Sequence, residues 1–269
     1  MLAISGQKIQ QMAASIPPPD APVLLAADAH YNKIDESLSM RAGWVSGLHG
    51  LLGSGIENLM RCLFGACDTC QMDSPAGKTL LSNPGAAIRA GIGYVPSERF
   101  HAIVPHMSVR DNIVLPHLQH FARIGGTINR HALDAAVAPL MARLGIRPDN
   151  PALAAGSLSG GNQQKLLFAR WMMGTTHTLL LDEATHGVDI GAKALIKSQI
   201  REFAARGGAV LMHSVEIEDL AELVDELYLM IGNKLSAPQQ RPPSGYDLAG
   251  LKGQMSLIDP TITHAEPAQ

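Results

Sequence analysis

The chain has no excess of charge, no long apolar stretch and few cysteines, and each shortage removes a class of protein. Its 269 residues carry a net charge of −3, which gives no electrostatic case for binding nucleic acid or an anionic membrane surface. No apolar run approaches the roughly eighteen residues that a membrane-spanning helix needs. Residues 1–22 have neither the basic start nor the continuous apolar stretch of a secretory signal. A cytosolic protein is therefore expected, with any membrane contact made through a partner. Three cysteines do not make a disulfide framework in a chain of this length. Cys67 and Cys70 form a CxxC with Cys62 nearby. A structural zinc site wants four ligands with a second paired element, which the sequence lacks, so reduced thiols are expected.

What is present is an ordinary globular composition, 46% hydrophobic and 17% charged. Residues 1–22 are polar and close on Pro17-Pro18-Pro19-Asp20, which reads as a linker. Residues 238–269 are rich in Pro, Gln and Gly and read as a loose tail. The block 23–237 between them alternates short apolar runs with helical patterns. Strands are expected at 43–48, 91–95, 178–181, 209–212 and 227–231. Residues 131–144 and 162–173 space their apolar positions three and four apart, as amphipathic helices do. Apolar strands alternating with helices imply an α/β fold, a parallel sheet covered on both faces.

Two segments carry chemistry. In Leu158-Ser159-Gly160-Gly161-Asn162-Gln163-Gln164-Lys165, Ser159 is a good N-cap and the glycines let backbone N–H groups approach a ligand. A helix starting there would point its positive end at an anion; an ordinary capped helix has the same look. Further on, Leu179-Leu180-Leu181 runs into Asp182 and Glu183. A buried strand delivering two carboxylates at its C-terminal end is where open α/β sheets place ligands. One carboxylate can hold a magnesium ion and the next can orient a water.

Together, LSGGNQQK and LLLDEATHGVDIGAK resemble the signature, Walker B and D-loop of ATP-binding-cassette (ABC) ATPases, in the wording of the bacterial carbohydrate-importer group. The resemblance covers about Val23 to Lys234 and is to the second of that group's two tandem nucleotide-binding domains. It implies a phosphate-loop NTPase core with a parallel sheet, an antiparallel β portion near 23–42 and 71–85, and a helical subdomain over about 100–175. It implies ATP and Mg2+ as ligands, with Asp182 on the metal and Glu183 catalytic. Ser159, Gly160, Gly161 and Gln163 would face a partner's ATP, and Asp189 marks the D-loop. The phosphate loop falls at Gly50, Gly53, Ser54, Gly55, Ile56, Glu57 and Asn58. Tyr94-Val95-Pro96-Ser97-Glu98-Arg99 resembles the Q-loop stand-in, with Ser97 in place of an acid. Residues 107–112 match the stretch facing the membrane partner. Tyr31 is the one candidate for stacking adenine. Implied partners are a second nucleotide-binding domain, in a homodimer or as a separate first half, a membrane permease and, indirectly, a periplasmic sugar-binding protein. The implied place is the cytoplasmic side, peripheral on the inner face of the membrane.

The largest departure from the family pattern is in the phosphate loop. The loop's lysine is Ile56 and its hydroxyl is Glu57. An added carboxylate about 4 Å from a phosphate charge costs up to roughly 4 kcal/mol at an effective dielectric near 20. The switch histidine is also missing: counting back from Asp225 puts its place at Val215, and His213, two residues earlier, reads as structural. Gly77-Lys78-Thr79 spells the end of a Walker A, but Met72 stands where its first glycine should be, and the segment reads as a turn between antiparallel strands. Two readings follow, a working ATPase half of an importer or a silent half that lends its signature to a partner. A soluble ABC ATPase of translation or DNA repair is disfavoured by the absence of charged inserts and basic patches.

Overall fold

The structure, a computed structural model, describes residues 17–27, 38–51, 53–67, 70–74, 77–81, 83–122, 127–231 and 234–258. Strands β1 (Val23–Ala27), β2 (Leu38–Arg41), β4 (Cys70–Ser74) and β5 (Gly77–Leu81) form one antiparallel sheet in the order β2-β1-β4-β5. Gly77-Lys78-Thr79 therefore begins a strand, which corrects the turn expected there. The second sheet is built from β3 (Val45–Gly50), β6 (Ile92–Val95), β7 (Thr178–Asp182), β8 (Ala209–His213) and β9 (Glu226–Ile231). Its parallel order is β9-β3-β8-β7-β6, and β10 (Lys234–Leu235) and β11 (Gln239–Gln240) add antiparallel to β9. The parallel strands carry apolar side chains on both faces because helices cover both. Val45, Leu179, Leu181, Val210 and Met212 face one core, and Leu48, Leu180, Leu211 and Tyr228 the other.

The helices are α1 (Ile56–Leu63), α2 (Pro84–Arg89), α3 (Arg99–Ala102), α4 (Val109–Val114), α5 (Arg130–Leu144), α6 (Gly160–Met172), α7 (Ile190–Ala205), α8 (Ile217–Leu223) and α9 (Leu248–Ile258). Their ends follow side-chain chemistry. Ser108 caps α4 by accepting from Asp111 N, Asn129 caps α5, and Gly145 (φ 55) closes α5 in the left-handed conformation. No helix of the described residues is long and apolar enough to cross a membrane.

Three further sequence expectations change. Residues 17–22 are tied to the fold by hydrogen bonds: Trp44 Nε1 donates to the Pro18 carbonyl at 3.2 Å, and Ala42 N donates to the Pro22 carbonyl at 2.9 Å. Residues 1–16 of the expected linker lie outside the described residues. The tail likewise contains β11 and α9, with Leu251 buried against the core and the Tyr246 hydroxyl donating to the Gln239 carbonyl. Cys62 and Cys67 form a disulfide where reduced thiols were expected. The Ala66 amide donates back to the Arg61 carbonyl and Gly65 turns with φ 70. This fold-back brings the two Cα atoms to 4.9 Å, within reach of a disulfide.

Candidate functional site

The parallel strands β3, β8 and β7 end side by side, and a cleft of about 440 Å³ opens at their C-terminal edge. One wall is the turn from β3 into α1. Gly53 (φ 82) and Gly55 (φ 93) take conformations that only glycine adopts without strain. Gly50 is fixed by space: a Cβ there would lie 2.6 Å from the Met230 carbonyl and 2.7 Å from Ile56 Cδ1. α1 starts at Gly55 with no side-chain cap, so its first amides face the cleft. Ser54, Ile56, Glu57 and Asn58 line the same wall.

Ile56 is 3% exposed and belongs to the apolar cluster with Leu48, Leu59 and Tyr228. The position where a phosphate-loop lysine would reach outward instead packs inward. Glu57 is exposed in the first turn of α1, so the helix dipole already meets a carboxylate of its own chain.

The opposite wall is the end of β7. Asp182 is 1% exposed, and both its oxygens are engaged. Oδ1 pairs with His213 Nδ1 at 2.7 Å, and Oδ2 accepts from the Tyr94 hydroxyl at 3.1 Å. Burial and the neighbouring Asp182 charge push the Tyr94 phenol well above its ordinary range. Glu183 sits at φ 51, a left-handed conformation unusual for a residue with a side chain. Its amide donates to the His213 carbonyl, and its Oε1 accepts from Val215 N at 2.6 Å. Burial raises the Glu183 carboxyl, while the Val215 amide and the nearby His213 pull it back. His213 Nε2 stands 3.8 Å from Glu183 Oε1, so one imidazole spans both carboxylates. Val215 itself is 50% exposed at the rim, and Ser97 and His186 complete the lining. Beside the cleft, the His49 imidazole lies against the Ser214 carbonyl at 2.9 Å, its pKa lowered by burial.

The signature segment lies apart, at the start of α6. Ser159 occupies the N-cap position, yet its hydroxyl accepts from Asn162 Nδ2 and makes no cap bond. This corrects the expected capping role and leaves the first-turn amides open. Gln163 faces back toward the Ala155 carbonyl, its Nε2 3.4 Å away. Asp189 caps α7 by accepting from Ala192 N at 2.9 Å, and its Oδ2 would lie 3.6 Å from a Cβ on Gly161.

The sequence thus places the phosphate-loop, Walker B and switch positions in one cleft, and the signature and D-loop positions on a second face. Tyr31 lies outside the described residues. Sequence reasoning named Tyr94 and Arg99 only within the Q-loop-like segment, without their contacts, missed His49, and treated His213 as structural. The Asp182–His213 contact follows from strand register, since the two residues are direct partners across β7 and β8.

The side chains of this cleft depart at three positions from those a Mg2+-bound triphosphate calls for. Asp182, the expected metal ligand, already holds two protein donors, the expected lysine position is the buried Ile56, and the expected hydroxyl position is the acid Glu57. No group of three or more metal-ligating side chains occurs among the described residues.

A parallel sheet with a glycine turn after one strand and two carboxylates ending another defines a phosphate-loop nucleotide-binding fold. The family model for ABC transporters matches residues 34–186. A ribose import ATP-binding protein of Chromobacterium violaceum is 41% identical over 197 residues, which cover 71% of this chain and 38% of the relative. A xylose import ATP-binding protein of Burkholderia ambifaria is 41% identical over 202 residues, covering 74% of this chain and 38% of the relative. Among solved structures, a nucleotide-free ATP-binding cassette from an ABC transporter superposes with a TM-score of 0.67 at 18% identity, covering 90% of this chain and 98% of that one. A second such cassette, in its ADP conformation, gives 0.68 at 19%, covering 89% and 96%. The chain belongs to the ABC transporter family. It spans about two fifths of the length of the curated relatives it matches.

Proposed function

We propose that this chain is a nucleotide-binding cassette, over residues 23–237 with its helical subdomain near 100–175, of a bacterial importer for a sugar or sugar-like solute. The cassette works at the cytoplasmic face of the membrane against a permease and beside a second cassette, with a periplasmic binding protein delivering the solute. In this reading ATP and Mg2+ are held by the partner cassette's phosphate loop and meet this chain's signature face, Ser159, Gly160, Gly161 and Gln163, with Asp189 alongside. This chain's own Asp182 and Glu183 keep the metal-ligand and catalytic positions, in a cleft that binds nucleotide weakly. What supports the reading is the contrast between the two faces. The start of α6 keeps open amides beside two glycines, whereas the loop before α1 has a buried Ile56 and an added Glu57.

Calorimetry of Mg2+-dependent ATP binding, on the chain and on an Ile56→Lys/Glu57→Thr double variant, tests this. The variant is expected to bind at least about a hundredfold more tightly, since a cation is restored and an anion removed. Equal, tight binding by the natural chain would show that the cleft is a working ATP site and that the electrostatic reading is wrong.

A further inference from the structure

The Cys62–Cys67 disulfide closes a turn at the far end of α1, the helix that starts at the phosphate-loop position. The last turn of α1 buries Cys62 completely, in the apolar cluster with Ile56, Leu59 and Met60. Cys67, five residues on, packs against the same cluster but is only half-buried. Backbone bonds hold the turn between them: the Phe64 and Ala66 amides donate to the Arg61 carbonyl at 3.1 and 2.8 Å, and the Gly65 amide to the Cys62 carbonyl at 2.8 Å. Gly65 is also docked, since a Cβ there would lie 2.7 Å from the Asn83 carbonyl. Two thiols in such a turn stay close once the bond is broken, so the bond can form again. Exchange needs a thiolate to reach the sulfur it attacks. Cys62 is 0% exposed, which leaves Cys67 as the sulfur open to a molecule from outside.

The turn also carries Phe64. Its ring centroid lies 5.3 Å from that of Tyr94 and 5.9 Å from that of Trp171. Tyr94 donates its hydroxyl to Asp182, and Trp171 Nε1, on α6, donates to the Tyr94 carbonyl at 2.7 Å. One side chain of the turn thus touches both the aromatic ring that holds Asp182 and the helix that begins at the signature.

We propose that Cys62 and Cys67 form a reversible redox site, exchanged at Cys67 by a small-molecule thiol, and that opening it loosens the seat of Phe64 against Tyr94 and Trp171. The incoming thiolate attacks Cys67 Sγ; the bond to Cys62 breaks, and its electron pair leaves on the Cys62 sulfur, which takes a proton. A second small thiol then attacks the sulfur of the first, releasing a small-molecule disulfide and leaving Cys67 as a thiol. The protein gains two electrons and two protons, and the two small thiols lose them. The reduced thiols expected from the sequence and the disulfide of the structure are then two states of one site.

Glutathione serves as the probe. The full chain is held without air in buffers of stepped reduced-to-oxidised ratio, then quenched in acid, unfolded, alkylated and read by peptide mass spectrometry. Cys62 and Cys67 are expected to pass together from protected to alkylated while circular dichroism keeps its folded signal. A pair still protected in reduced glutathione alone is a framework disulfide and overturns the proposal. A pair fully alkylated in oxidised glutathione alone overturns it as well. Single variants fix the direction of attack. Cys67 should take up glutathione in Cys62→Ala at least about tenfold faster than Cys62 does in Cys67→Ala; the opposite order overturns the assignment of Cys67. Native-state hydrogen exchange reads the output. On reduction the amides of Phe64, Gly65 and Ala66 should exchange about tenfold or more faster, with those of β3 and β8 unchanged. Turn amides indifferent to redox state, or sheet amides quickened by the same factor, overturn the local loosening around Phe64.

Discussion

Asp182 shows what a single side chain can be asked to do here. It is fully buried and its charge is met by His213 and Tyr94, so taking one partner away leaves a buried acceptor under-satisfied. His213→Ala should cost about 1–3 kcal/mol, read as a lower urea midpoint at unchanged slope. An unchanged midpoint would mean that the contact contributes nothing to the fold. Gly50 is a second such position. An added methyl there meets the Met230 carbonyl, a backbone atom that cannot swing aside. Gly50→Ala is therefore expected to destabilise by about 1–3 kcal/mol and to displace Ile56. Gly53→Ala has open space around its Cβ but the wrong sign of φ. It should cost less, about 1 kcal/mol. A reversed order of the two costs would contradict the packing argument.

At the scale of elements, α7 and α8 are tied through Asp219. Its carboxylate accepts from Lys197 Nζ at 3.0 Å and Thr185 Oγ1 at 3.0 Å, and lies 2.6 Å from Lys193 Nζ. Burial alone would raise its pKa, but the two ammonium groups outweigh burial and hold it below the ordinary carboxylate range. A carboxylate with a lowered folded pKa lends stability that is fully present above its unfolded value, about 3.9, and is lost as the pH falls through the folded value. Asp219→Asn leaves Lys197 buried with only Glu222 for company. It should cost about 2–4 kcal/mol at neutral pH, and the gap should close below about pH 4. Denaturant titrations at neutral and acid pH test this; a gap that stays constant in acid would remove the ion pairs as its cause. Much of this layer of structure was legible in the sequence. The helices at 131–144 and 162–173 and the five apolar strands follow from period and branching, because burial on one stripe or both faces writes itself into spacing. The elements missed have no such signature. α9 reads Leu-Ala-Gly-Leu-Lys-Gly, two glycines in six residues, and the described burial in it rests chiefly on Leu251. The prolines at 17–19 suggest a linker until Trp44, far along the chain, supplies a donor to the Pro18 carbonyl. The site divides the same way. Motif wording gave the two faces, while the hold of His213 and Tyr94 on Asp182 depends on strand register, which no local pattern carries.

At the scale of the whole molecule, the helical layer is drawn together around one buried cation. Arg170, near the end of α6, is 6% exposed. Burial pushes its pKa down to about 10, so it remains charged at neutral pH. Among the described residues it has no carboxylate partner. Its Nε donates to the Asn112 carbonyl at 2.8 Å and its Nη1 to the Ala102 carbonyl at 2.9 Å. Asn112 in turn holds the Val104 amide and the carbonyls of Val104, Met107 and Ser108. One helix that begins at the signature thus gathers the segment 102–112 by its carbonyl groups. Arg170→Ala removes the donors and leaves those carbonyls buried, at an expected cost of about 2–4 kcal/mol. Because β3, β7 and β8 are held by their own ladder and core, the loss should stay local. Native-state hydrogen exchange should then quicken by about thirtyfold or more at the amides of 109–114, with those of β3, β7 and β8 unchanged. If the sheet amides quicken by the same factor, the helical layer and the sheet open together, and Arg170 supports the whole fold rather than one part of it.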